Sequence, residues 1–288
     1  MNANKHDAIL IVGTNTYILG TGPKKILIDC GEGVREYLPC LEESLKNTQS
    51  DAYIADIIIS HGHRDHWGGL GDILSSLTLN PSKSIRVHKY PLPSDGSIEH
   101  MNHFPKDIQV LELKDNQVFK ADDVTLKVIY TPGHTKDHCT FWLEEEQSLF
   151  TADCVLGQGT AVFDDLHEYI AGLENLVSLQ PTRLYPGHGP VIENGVDKLR
   201  EYIQHRLQRE HQIIQLFNTQ QSWTPMEIVK VLYKDYPESL HIPAANSVIL
   251  HLHKLKKDSK VKTSKEKESF PARLNSTWHW ADPHDSQS

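Results

Sequence analysis

Hydrophobic positions along this chain fall into short runs of strand length, separated by stretches with helical spacing. Residues 7–20 (DAILIVGTNTYILG) and 24–30 (KKILIDC) read as strands divided by a Gly-Pro turn. Residues 34–47 follow as a helix. AYIADIIIS, residues 52–60, is a continuous apolar run, the mark of a strand buried on both faces. A helix is expected over residues 69–77. Residues 80–107 are rich in Pro, Ser and His and read as irregular, with one short strand at IRVHKY. VTLKVIYTPGH (124–134) is strand, turn and histidine, and RLYPGHG (183–189) repeats that order. CTFWLEEEQSLFTAD (139–153) is two strands around an acidic turn, and 165–178 reads as a helix. Strands and helices are interleaved, which argues for a layered α/β fold.

From residue 196 the pattern changes. VDKLREYIQHRLQREHQIIQLF has helical spacing and many charges. TPMEIVKVLY carries Thr224 as N-cap, Pro225 at the first helical position and Glu227 completing a capping box. AANSVILHLHKLKKD is a third helix and KVKTS a short strand. Three helices and a ribbon have the make-up of a winged helix. The organisation expected is therefore a catalytic-type α/β domain over 1–195, a winged-helix-like region over 196–265, and a disordered tail over 266–288, where no period is visible.

Composition narrows the classes. With 288 residues and 38% hydrophobic content, the chain can build one sizeable core, or a core and a small appended domain. Its formal charge of −9, from 29 basic and 38 acidic residues, provides no overall basic field for nucleic acid. No apolar run has membrane-spanning length, so no membrane partner is expected. The start, MNANKHDAILIVG, lacks the pattern of a signal or transit peptide. Cys30, Cys40, Cys139 and Cys154 form no CxxC pair, as suits a reduced compartment. Oligomeric state has no signal.

The chemistry concentrates at strand ends. His61, His63, Asp65 and His66 follow the strand at 54–60, His134 follows 124–131, Asp153 follows 148–152 and His188 follows 183–186. In open α/β sheets, that edge is where sites are built. Five imidazoles and two carboxylates suit a first-row divalent metal, with imidazole favouring zinc. Seven ligands are too many for one ion and suit two, provided one carboxylate bridges; such ions sit roughly 3.5–4 Å apart. A non-catalytic module with a structural metal is the reading from a different class. It is disfavoured, because a closed structural site takes four protein ligands per ion.

HGHRDH, TPGHT, TADC and YPGHGPVI resemble the ligand motifs of the metallo-β-lactamase superfamily. The resemblance implies an αββα sandwich, two mixed sheets back to back with helices outside. It implies that His61, His63 and His134 hold one Zn2+ and that Asp65, His66 and His188 hold a second. Asp153 would bridge the two, and Asp65 would also orient the nucleophilic hydroxide. An aspartate at position 153 points to the branch of glyoxalase II-like hydrolases and RNA-processing nucleases. GTNTYILGTGPKKILIDCGEG, LEEEQSLFTADCVLGQGTAVFDDL and YPGHGPVI are similar to a family of animal endoribonucleases in that branch. EYIQHRLQREHQIIQLF and PMEIVKVLYKDYPESLH fit its C-terminal winged-helix-like region. The resemblance implies single-stranded RNA as substrate and the mitochondrial matrix as compartment, with the cytoplasm as the alternative. Fungal acyl-carrier-protein thioesterases look similar across the same motifs, so a thioester hydrolase, of that kind or of glyoxalase II type, is the alternative activity. Gly62 stands where the family carries a bulky aromatic, only a dozen residues precede GTNTY, and the tail is additional. None of these departures removes a ligand.

Other residues stay open. Asp29 reads either as an acid orienting a metal-bound histidine or as a turn cap. Cys154 and Cys30 read as small buried hydrophobes. His88, His100, His103 and His138 read as loop or surface histidines, with His138, one turn after His134, the outsider. Residues 254–268 carry seven lysines against three acids, either an RNA-phosphate contact or a solvated helix face.

Overall fold

Side-chain alternation along the early strands decides how the first layers form. In the computed structural model, which describes residues 8–9, 13–92, 104–105, 107–264, 269 and 271–281, six strands make one mixed sheet in sequence order. They are β1 (Ala8–Ile9), β2 (Thr16–Leu19), β3 (Lys24–Ile28), β4 (Tyr53–Ile59), β5 (Arg86–Lys89) and β6 (Val110–Glu112). The first three pair antiparallel, and β3 to β6 run parallel. Tyr17, Leu19, Ile26, Ile28 and Ile58 face one core; Ile18, Leu27, Ile57 and Ile59 face another. Successive side chains point to opposite faces, so an unbroken apolar run such as β4 has to be covered on both.

One cover is the second sheet. β7 (Val118–Ala121), β8 (Val124–Tyr130), β9 (Cys139–Leu143), β10 (Ser148–Ala152) and β11 (Arg183–Pro186) form it in the order β11-β10-β9-β8-β7. Phe119, Leu126, Val128, Phe141 and Phe150 supply its half of the shared core. The other cover comes from α1 (Tyr37–Thr48), with Tyr37, Leu41 and Leu45, and from the region of α2 (Arg64–Trp67) and α3 (Leu70–Ser75), with Trp67, Leu70 and Ile73. β6 and β7 lie in a stretch without a distinct periodic signal. They are three and four residues long, too short to show one.

The chain divides into two compact units, Met1–Phe163 with Ala171–Arg200, and Asp164–Ile170 with Glu201–Ser288. The boundary expected after residue 195 falls at the start of α5 (Gly195–Phe217), which follows α4 (Leu166–Ser178). In the second unit, α6 (Pro225–Leu232) begins with the expected capping box. Glu227 N–H donates to Thr224 Oγ1 at 3.3 Å, and Thr224 N–H donates to Glu227 Oε2 at 2.8 Å. α7 (His241–Lys257) buries Ala245, Val248, Ile249, Leu252 and Leu255 at helical spacing. They meet Ile213 and Phe217 of α5 and Ile228 and Val229 of α6.

The disordered tail expected over 266–288 is corrected within the described residues. Residues Ala272–Asn275 form a 3-10 turn, and Trp278–Trp280 form a strand. With β12 (Ser222–Trp223) and β13 (Val261–Lys262) on its two sides, this last strand, β14, makes a three-stranded antiparallel ribbon. The reason is anchoring: Leu274 and Trp278 are buried in the same core as α6 and α7. A three-residue strand shows no period, and its partners lie far away in sequence. Truncating Trp278 to Ala is expected to destabilise this unit by about 3–5 kcal/mol, the cost of emptying a large aromatic site. Denaturant unfolding followed by tryptophan fluorescence measures it; a tail that is not part of the core would show no change.

Candidate metal centre

Each ligand-type residue is carried to the centre by a strand end. β4 leads through Ser60 into His61, and the turn of α2 presents His63, Asp65 and His66. The loop after β8 brings His134, and β11 ends just ahead of Gly187 and His188. Asp153 follows a kink: Ala152 has a left-handed backbone (φ +43°), and the β10–β11 register shifts there. Such backbone outliers in non-glycine residues tend to mark sites where a side chain is re-aimed. Gly187 is required by space, since a Cβ there would lie 2.4 Å from Asp153 Oδ1 and 3.0 Å from His66 Cε1.

All seven expected residues come together, in two groups that share Asp153. His61, His63, His134 and Asp153 form one; Asp65, His66, Asp153 and His188 form the other, with the donor atoms of each within 4.8 Å of one another. Asp153 divides its oxygens between them. Oδ2 lies 4.0 Å from His61 Nε2 and 3.7 Å from His134 Nε2, and Oδ1 lies 3.3 Å from both His66 Nε2 and His188 Nε2. Asp65 Oδ2 is 3.3 Å from His66 Nε2 and 3.2 Å from His188 Nε2.

The hydrogen-bond network assigns the tautomers. A ring nitrogen facing an acceptor oxygen carries the proton, which leaves the other nitrogen with a lone pair. His66 Nδ1 donates to Asp29 Oδ2 at 2.7 Å, His134 Nδ1 to the Val162 carbonyl at 2.8 Å and His188 Nδ1 to the Gly13 carbonyl at 2.9 Å. Ser60 Oγ gives its hydrogen to Asp29 Oδ2 at 2.8 Å and so accepts from His61 Nδ1 at 3.0 Å. Four histidines therefore turn a bare Nε2 inward, and His63 presents Nδ1. His61 Nε2 and His134 Nε2 stand 3.2 Å apart, with His63 Nδ1 at 2.9 and 3.0 Å from them. Facing lone pairs repel unless a cation lies between them. His66 Nε2 and Asp153 Oδ1 are buried and make no hydrogen bond. These residues fit divalent metal ions.

Charge follows the same division. Burial, then the neighbouring imidazoles, holds His61 well below the usual histidine range and therefore neutral. Burial acts the same way on His66 but is outweighed by the Asp29 and Asp153 carboxylates, which push it up. Contacts to Asp153 and then Asp65 raise His188 to about 10, so without a cation Nε2 of His66 and His188 takes up a proton, and the inward lone pair is the form that a bound cation selects. For Asp65 and Asp153 burial opposes ionisation, yet contacts to the surrounding histidines hold both below the usual carboxylate range.

The open readings resolve. Asp29, with φ +58°, orients His66 and also accepts the Ser60 N–H at 2.8 Å. Cys30 and Cys154 are buried thiols. Two histidines read as loop or surface positions are buried instead. His88 sits in β5 with Nε2 2.8 Å from Asp56 Oδ1, because parallel pairing sets β5 beside β4. His138 packs its ring 5.3 Å from that of His61, and burial lowers it to about 3. His100 and His103 lie outside the described residues. In the lysine-rich stretch, Lys254 pairs with Glu210 and Asp258, and Lys257 with Asp165. Those cations are already neutralised within their own unit. Thr14, Asn15 and Ser60 contact the centre without having been singled out. Ser60 precedes His61 directly and Thr14 and Asn15 lie within GTNTY, but the Gly13 and Val162 carbonyls leave no trace in a sequence.

Residues 11–188 match the model of the metallo-beta-lactamase superfamily, and 224–269 match the beta-lactamase associated winged helix domain. The chain belongs to the metallo-β-lactamase superfamily. Among its relatives is a beta-lactamase-like protein 2 homolog of Caenorhabditis elegans, 43% identical over 86% of this chain and 80% of that one. Another, from Drosophila melanogaster, is 42% identical over 90% and 87%. A beta-lactamase domain protein from Burkholderia ambifaria shares the fold, with a TM-score of 0.73 at 15% identity over 93% of this chain and 87% of that one. The fold is thus the metallo-β-lactamase sandwich with a C-terminal winged helix, and the chain is a hydrolase of that superfamily with a candidate metal-binding His/Asp cluster. Replacing Asp29 with Asn removes the charge behind His66. Affinity for a divalent cation is expected to fall about 10- to 100-fold, as for other partners of metal-bound histidines. Chelator competition measures it, and unchanged affinity would take Asp29 out of the site.

Proposed function

We propose that this metallo-β-lactamase superfamily member is a binuclear zinc endoribonuclease that hydrolyses phosphodiesters of single-stranded RNA. The observation that carries the reading is the Asp153 carboxylate, with one oxygen toward His61 and His134 and the other toward His66 and His188. A shared carboxylate between two ligand groups is what a pair of cations requires, and paired cations suit in-line displacement at phosphorus. His61, His63, His134 and Asp153 would hold one ion; Asp65, His66, His188 and Asp153 would hold the other. The imidazole-rich set favours zinc. Bound there, two zinc ions supply Lewis acidity toward a phosphoryl oxygen and acidify water.

The chain's own residues set direction and access. Side chains of Asp65 and His188 are 32% and 31% exposed, whereas those of His61 and His66 are fully buried. Substrate therefore approaches from the side of the partly exposed His63, Asp65 and His188. Asp65, kept ionised by its histidine neighbours, orients the attacking water and accepts its hydrogen bond. Four fixed tautomers mean that those four imidazoles do not have to turn as charge develops, which is the preorganisation that lowers a barrier. RNA as the substrate is supported by the likeness of the GTNTY, TADC and YPGHG stretches to animal endoribonucleases. The lysine-rich stretch adds no support, because its Lys254 and Lys257 are paired within their unit.

The test is hydrolysis of labelled single-stranded RNA by the purified zinc-loaded chain, with an acyl thioester assayed in parallel. Asp65→Ala and chelation are each expected to slow RNA cleavage by at least about 100-fold, the scale of losing one group that acts at the reacting centre. Intact RNA beside thioester turnover would overturn the nuclease reading in favour of a thioester hydrolase.

A further inference from the structure

Three ligands of the centre are partly exposed, His63, Asp65 and His188, and the last two are tied down by a segment distant in sequence. Thr14 is buried, and its hydroxyl donates to Asp65 Oδ2 at 2.7 Å. That same oxygen faces His66 Nε2 and His188 Nε2. Gly13, one residue earlier, accepts from His188 Nδ1 at 2.9 Å. Asn15, one residue later, holds the loop that carries His188. Its N–H donates to the Gly187 carbonyl at 2.7 Å, and its Nδ2 donates to the carbonyls of Pro186 at 3.0 Å and Gly189 at 2.8 Å. Every residue from 186 to 189 is thus contacted by the segment 13–15.

His61 and His134 take their orientation elsewhere, from Ser60 and Val162. The division has a physical reason. Fully buried imidazoles such as His61 and His66 are held by packing as well as by their hydrogen bonds. A carboxylate and an imidazole about one-third exposed can rotate into water, and fixing them costs side-chain entropy each time a ligand binds. A tether removes that cost in advance.

We infer that Thr14 and Asn15 are positioning residues for one cation position alone, the one formed by Asp65, His66, His188 and Asp153. This rests on the two-cation reading above. The segment makes that position binding-competent before the ion arrives, and the position formed by His61, His63 and His134 is independent of it.

The experiment is titration of the metal-free full chain with Co2+, followed by its visible absorption, together with zinc stoichiometry after dialysis at fixed free Zn2+. Thr14→Val keeps the shape and removes the donor. It is expected to weaken one of two ions about 10- to 100-fold and leave the other unchanged, with Thr14→Ser restoring the wild-type titration. Asn15→Ala, which removes both side-chain tethers on the His188 loop, is expected to weaken the same ion. The inference is overturned if Thr14→Val binds both ions as the wild type does, or if both ions weaken together and Thr14→Ser fails to rescue. A wild-type chain that takes up fewer than two ions would overturn the two-cation reading and this inference with it. No RNA enters the measurement, so a failure of the RNA assay is distinguishable from either result.

Discussion

Inward-facing lone pairs are the constraint on which the centre depends. Five imidazoles converge on common points, four of them with Nδ1 hydrogen-bonded and Nε2 turned inward, a packing that is unfavourable unless positive charge occupies those points. The fold has to hold that arrangement against its own repulsion. It does so through hydrogen bonds on the outer nitrogens, from Asp29, Ser60, Val162 and Gly13. Asp153 supplies compensating negative charge to both groups at once.

The sandwich explains how such an arrangement can be rigid. β4 is covered on both faces, so the main chain leading to His61 has little freedom. Asp29 closes β3, and Ser60 lies just past the end of β4; the parallel pairing of these strands brings the acid to the serine and to His66. Rigidity and chemistry are therefore the same hydrogen bonds seen from two sides. Exposure is left where a substrate needs it, along His63, Asp65 and His188, and at the last two the segment 13–15 replaces packing with tethers.

In the C-terminal unit the same logic works without chemistry. The capping box and the apolar stripe of α7 were visible from spacing alone, but the strand at Trp278–Trp280 was not. A tryptophan in a stretch without period carries no direction until a core exists to receive it. The lysine-rich stretch shows the converse. Seven positive residues in sequence look like a surface for anions, yet Lys254 is largely buried against Glu210 and Asp258. Charge composition records how many cations a stretch has, and only packing shows which of them are free.

The sequence by itself determined the layered α/β class, the helical C-terminal region and the seven side chains of the centre. It could do so because strand ends are local signals: an apolar run stops, a turn follows, and a histidine or aspartate comes next. What only the tertiary structure decided is which nitrogen each histidine presents and which residues behind them hold that choice. Those properties depend on contacts between residues as far apart as Gly13 and His188, and on main-chain carbonyls that every residue has. A side-chain code cannot record which carbonyl ends up beside which imidazole; that is settled when the strands find their register.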